Sequence, residues 1–161
     1  MKRAPTWCPP AAGRIAIVCC MALASPAAHA HGLFVVNQPW VRPAAAGRTS
    51  EAYMNLTSAE GATLVAVRSD DAAAVSLRGP GAKAPDVRRL ALPPRTTVEL
   101  APGRYRLSLR RLSKAVRLGD TVALTLTIQG ADGARHDIPV SAVGRLRSPV
   151  DDERLAHRHR H

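Results

Sequence analysis

The clearest structural signal in the chain is RYRLSLRRLSKAVRLGDTVALTLTI, residues 104–128. It contains two segments, 104–110 and 121–128, in which every second residue is apolar. Such alternation is typical of β-strands with one face in a core and the other in solvent. The first segment is expected to direct three cations to solvent: Arg104, Arg106 and Arg110.

Similar strand-forming segments occur in the sequence before this stretch. Segments 51–57, 62–67, 73–77 and 96–100 also predict short strands, separated by turn sequences rich in glycine, proline and aspartate. No segment after residue 30 has apolar residues at the three- and four-residue spacing of an amphipathic helix. We therefore expect an all-β fold, a sandwich or a Greek-key barrel.

The first thirty residues predict a signal peptide. Lys2, Arg3 and Arg14 supply positive charge, residues 15–24 are apolar, and Ala28-His29-Ala30 suits signal peptidase. The apolar run is too short for a stable membrane anchor. We expect export to the periplasm with removal of residues 1–30, which hold all three cysteines. One domain, 31–147, and a flexible tail, 148–161, would remain.

The mature chain would be strongly basic, with a net charge of about +8 once the three cations of residues 1–30 are removed from the total of +11. Few aromatic residues are present to stack on bases, so nucleic acid is not an expected partner. Acidic partner proteins, anionic lipid headgroups or surface polymers fit an exported basic protein better. The sequence does not indicate an oligomeric state.

Four segments, 38–43, 51–57, 97–105 and 112–127, occur in an order and spacing that resemble the PCuAC family of periplasmic copper chaperones. The resemblance runs from about residue 31 to residue 142. It implies a cupredoxin-like β-sandwich and delivery of Cu(I) to an oxidase copper centre through exposed histidine and methionine ligands.

The residues at the family's ligand positions differ. The resemblance aligns the first family histidine with Arg78 and the second His-x-Met pair with Arg106 and Ser108, and segment 79–87 contains no methionine. Imidazole and thioether groups suit Cu(I). A guanidinium has no free lone pair and keeps its charge, so it cannot replace them. We therefore expect the usual copper site to be absent.

One hypothesis moves copper to the chain termini. His31 would become the first residue and offer its amine and imidazole, while His157, His159 and His161 alternate with arginines in the tail. A copper-accepting oxidase subunit would then be the partner. A solvated basic tail explains the same residues, because the arginines repel a cation.

A second hypothesis is a metal-free module that recognises an anionic partner. Arg104, Arg106 and Arg110, with Arg78 nearby, could clamp phosphate or carboxylate groups. An ordinary solvated strand face is the alternative.

An enzyme is not expected. No nucleophile motif or pair of core carboxylates occurs, and His136 beside Asp137 predicts a surface histidine. Met54 and Trp40 are expected to be core residues.

Overall fold

A computed structural model describes residues 34–149, which form an all-β domain as the sequence predicts. The ten strands have these bounds: β1 Phe34–Val41, β2 Ser50–Ser58, β3 Ala62–Arg68, β4 Ala72–Arg78, β5 Asp86–Val87, β6 Leu90–Leu92, β7 Thr97–Leu100, β8 Arg106–Leu112, β9 Thr121–Gly130 and β10 Arg135–Gly144.

The strands form one nearly closed, barrel-shaped sheet in the order β5-β4-β8-β2-β1-β10-β9-β3-β6. Strand β2 pairs with β8 near its start and with β7 further along. Strand β1 runs antiparallel to β2 and parallel to β10, so it joins the two halves of the sheet. Among the described residues, no helix is long and apolar enough to cross a membrane.

A bulge bends β1 in its middle. Between the pairs Asn37–Asn55 and Trp40–Tyr53, β1 uses one residue more than β2. Gln38 takes a φ of 51°, and the next residue, Pro39, has no N–H for the ladder. The bend lets the last two residues of β1 contact both β2 and β10.

The core follows the alternation of the sequence most closely in β9. Val122, Leu124, Leu126 and Ile128 are all buried, as predicted. Met54 is also a core residue, as expected. Trp40 is buried too, but it lies outside the main core cluster.

Several strand predictions need correction. The segment predicted as 104–110 begins two residues later and ends at Leu112, which turns inward after Arg111 adopts a φ of 51°. Four strands, β1, β5, β6 and β10, were not predicted from the sequence. In β10, Pro139 pairs with Thr125 of β9, and the β1 pairing is confined to the far end at residues 143 and 144. Proline is tolerated at position 139 because β1 does not pair with β10 at this level, so no backbone hydrogen bond to β1 is required.

Candidate functional site

The outer face of strands β2, β4 and β8 brings together the positions that the resemblance aligned with copper ligands. Arg78 of β4 lies directly opposite Arg106 of β8, and Ser76 lies opposite Ser108. Glu51 of β2 faces Ser108 from the other side. Directly opposed residues of antiparallel strands point to the same face, so these side chains form one cluster.

Arg106 is buried, which corrects the expectation that it faces solvent. Its residue surface is only 8% exposed. Its Nε donates to Glu51 Oε1 at 2.8 Å, and its Nη1 donates to the carbonyl of Gly79 at 2.9 Å. Gly79, the residue that follows β4, thus supplies a backbone acceptor to the guanidinium. A buried guanidinium with a carboxylate partner holds structure rather than offering a free charge.

Glu51 connects Arg106 to a buried aromatic pair. Its Oε2 accepts a hydrogen bond from the Tyr53 hydroxyl at 2.5 Å and lies 3.8 Å from Nη1 of Arg42. The Tyr53 ring stacks on Trp40 with centroids 4.4 Å apart, and the Arg42 guanidinium lies 5.7 Å from the Tyr53 centroid. Burial, followed by the hydrogen bond to Glu51, raises the pKa of Tyr53. The phenol therefore stays protonated and acts as a donor.

Asp86 of β5 partners the other two arginines. Its Oδ1 accepts from Arg78 at 3.2 Å and from the Ser76 hydroxyl at 3.2 Å, and its Oδ2 accepts from Arg110 at 2.9 Å. Desolvation opposes ionisation, but hydrogen bonds from Ser76 and Arg110 and the two positive charges together lower the pKa of Asp86. The carboxylate is ionised at neutral pH.

We call this cluster the arginine face. It consists of four arginines and two carboxylates: Arg42, Arg78, Arg106, Arg110, Glu51 and Asp86. Its charges leave an excess of two positive charges. Arg104, which the sequence analysis grouped with these residues, precedes β8 and instead lies 3.5 Å from Glu99 of β7. Three of the four predicted arginines are therefore brought together, and Arg104 is not.

The arginine face does not suit copper. Guanidinium groups lack a lone pair for the metal, and Arg78 and Arg106 occupy the aligned ligand positions. Between residues 34 and 149, no group of three or more histidine, cysteine, aspartate or glutamate side chains is positioned to hold a metal ion. His31, His157, His159 and His161 lie outside the described residues, so the terminal-site hypothesis stays a prediction.

The carboxylates of this site, Glu51 and Asp86, were not among the residues predicted from the sequence. The alternation of β2 already placed Glu51 on the polar side of its strand, but its partner is 55 residues away. Asp86 lies on a two-residue strand with no periodicity of its own. His136, predicted at the surface, lies on β10 and is partly buried, beside the Asp137 that pairs with Arg68 at 2.6 Å.

Comparisons with known proteins agree with this fold. Residues 34–140 match the model of the LpqE-like lipoprotein family. Among solved structures, the apo PCuAC domain from PmoF1 is similar at 22% identity and a TM-score of 0.61, covering 72% of this chain and 96% of that one. The copper-bound PCuAC domain from PmoF2 is 22% identical, with a TM-score of 0.59 and coverages of 72% and 95%.

A third structure, the Cu(I) form of DR1885 from Deinococcus radiodurans in solution, is 26% identical, with a TM-score of 0.54. The aligned region covers 73% of this chain and 83% of the DR1885 chain. A search of curated protein sequences found no significant match.

Proposed function

Because the chain belongs to the LpqE-like family, which is of the PCuAC type, we propose that it is a copper-chaperone-like protein with an atypical copper site. The observation that carries the proposal is the family match over residues 34–140, together with two copper-bound structures among the similar folds. The expected PCuAC family and the all-β fold are thereby confirmed. Copper is the cargo in this proposal, and no catalytic step is involved.

The cargo site would use the terminal histidines. The arginine face supports this choice indirectly, since its two cations at the aligned positions cannot act as ligands. After cleavage behind Ala30, His31 would offer an amine and an imidazole, a pair that favours Cu(II). His157, His159 and His161 would offer three imidazoles within five residues.

The fold sets a condition on any ion shared by both termini. Since β1 runs parallel to β10 with Trp40 opposite Val143, Phe34 lies about 20 Å from that level along the strand. The 13 residues from Gly144 to His157 can span about 43 Å when extended. The tail is therefore long enough for its histidines to share one ion with His31. Two independent sites would not require the tail to extend to the N-terminus.

A copper titration of the chain beginning at His31, without an added tag, tests the proposal. Cu(I) and Cu(II) are titrated separately against a competing chelator. We expect stoichiometric binding tighter than about micromolar, beyond that of scattered surface histidines. The H157A/H159A/H161A variant should lose the binding that the tail supplies, which is all of it for one shared ion and one equivalent for two independent sites, whereas the control H136A should lose none. Absence of stoichiometric binding, or equal binding by both variants, would contradict the proposal.

The substitution H31A separates the two terminal models. It removes the imidazole of the N-terminal chelate and leaves the three tail histidines unchanged. With a single shared ion, affinity falls and the stoichiometry stays at one. With two independent sites, one equivalent is lost and the tail keeps its affinity.

We also propose export to the periplasm through a cleaved signal peptide, with a copper-accepting oxidase subunit or another acidic protein as partner. The lipoprotein label of the family is not carried over, because Val18 and Cys19 stand before Cys19 and Cys20 where lipid attachment needs a small residue. Mass spectrometry of the protein from a periplasmic extract tests this directly. The expected N-terminus is His31, and a mass that includes an attached lipid would contradict it.

A metal-free module for an anionic partner is the second candidate, supported by the excess of two positive charges on the arginine face. Arg42 and Arg110 are its most exposed members, with 49% and 46% of their side chains exposed. The substitution R110Q should weaken binding of an acidic peptide, and R104Q, which removes the same amount of charge, is the matched control. Equal weakening by both would mean that the net charge of the protein, rather than the arginine face, attracts the peptide.

A further inference from the structure

Two adjacent loops at one end of the barrel expose leucines beside arginines. Leu118 is 60% exposed and Leu146 is 70% exposed, and they line one shallow depression of about 350 Å³ with Arg145 and Arg147. Only three large apolar residues of the described chain are exposed, and the third, Val35 at 42%, is not among the residues that line the depression. We call this surface, with Arg117, the leucine–arginine patch.

Backbone hydrogen bonds hold the two loops together. The N–H of Gly119 donates to the carbonyl of Gly144 at 2.9 Å, and the N–H of Gly144 donates to the carbonyl of Asp120 at 2.7 Å. Gly144 has no room for a Cβ, because that atom would meet the carbonyl of Arg117. Gly119 has a φ of 84°, which glycine adopts without strain. The two leucines are thus presented side by side by a fixed backbone.

The charge around these leucines is positive. The two loops read Arg117-Leu118 and Arg145-Leu146-Arg147, so each leucine adjoins at least one arginine in sequence. The nearby acid, Asp120, uses its Oδ2 to accept the backbone N–H of Arg117 at 2.8 Å. Exposed apolar tips with a cationic surround match the interfacial region of an anionic bilayer, where apolar groups enter below the headgroups and arginines contact phosphates.

We propose that the leucine–arginine patch docks the protein on an anionic phospholipid surface. The exposure of the leucines favours this partner over a small ligand, because the depression is shallow and the leucines stand out from it. The binding is peripheral and reversible, since two leucines supply little apolar area. The proposal does not depend on copper, and its test is independent of any metal.

Flotation with vesicles tests the proposal on the chain beginning at His31. We expect it to float with vesicles of phosphatidylglycerol and phosphatidylcholine, not with phosphatidylcholine alone, and less as salt is raised. L118S/L146S should remove the binding, and R117Q/R147Q should weaken it about fivefold for each arginine. V35S, which removes an exposed apolar side chain away from the patch, should bind as the unsubstituted chain does.

Three results would overturn the proposal. One is the absence of binding to anionic vesicles. Another is unchanged binding by L118S/L146S, which would assign it to general positive charge. The third concerns the acidic segment Asp151-Asp152-Glu153 that follows in sequence. If binding appears only in the D151N/D152N/E153Q variant, the unsubstituted protein does not dock on the membrane, because the negative charge of this segment opposes the contact.

Discussion

Replacing Glu51 by glutamine should destabilise the domain strongly, because it leaves Arg106 buried without a counter-charge. The Arg106 side chain is 9% exposed and that of Glu51 is 32% exposed. Breaking a buried pair costs about 3–5 kcal/mol. Because Glu51 is partly open to water and glutamine keeps one acceptor oxygen, we expect the lower end, about 3 kcal/mol. For a chain of this size, that corresponds to a fall in Tm of about 10 °C.

The assay is urea and thermal unfolding followed by tryptophan fluorescence. Trp40 is the only tryptophan after residue 30, and its ring stacks on Tyr53 beside the pair. The control is E99Q, which breaks the exposed 3.5 Å contact with Arg104 and should cost less than about 1 kcal/mol. If E51Q and E99Q lower the stability equally, the argument that the Glu51–Arg106 pair is structurally important is refuted.

Three more outcomes follow from the structure. The variant R78H/R106H/S108M should gain one chelator-resistant Cu(I), because the substituted positions share one face of neighbouring strands, and failure to bind would contradict the alignment with the family site. The pKa of Asp86 is lowered in the folded protein. Its contribution to stability is therefore present above about pH 4, the ordinary range for an aspartate, and is lost as the pH falls through its folded pKa. The decrease in the urea midpoint between pH 7 and pH 3 should accordingly be smaller in D86N than in the unsubstituted protein. G144A should cost about 1–3 kcal/mol in urea unfolding, because its Cβ would strike the facing turn, and an unchanged midpoint would contradict that close approach.

The strands predicted accurately from the sequence are those in which every second residue is apolar and one face is buried. Strand β9 is the best case, because the alternation alone places its four apolar residues on the buried face. Arg106 shows that alternation along a strand does not by itself predict burial. Its parity correctly placed it opposite the core, but a carbonyl from residue 79 and a carboxylate from residue 51 bury it there. These neighbours come from distant parts of the chain, which periodicity within one strand cannot detect.

The resemblance aligned Arg78, Arg106 and Ser108 with the family's ligand positions, and the strand register brings these residues to one face. That they form a binding site stays a prediction. Their charge balance could not be read from the sequence, because Glu51 and Asp86 belong to other strands and pairing register determines which arginine each one meets. The terminal histidines lie outside the described residues and stay a prediction.

The position of β1 between β2 and β10 has a consequence for how the protein is made. Strand β1 is synthesised first, yet its last residues acquire their second neighbour only when residues 143 and 144 are available. Closing a loop of about one hundred residues is entropically costly and slow compared with forming local hairpins. The chain therefore cannot complete the barrel until its last strand is available, and a chain that is cut before β10 leaves one edge of β1 unpaired and open to proteolysis.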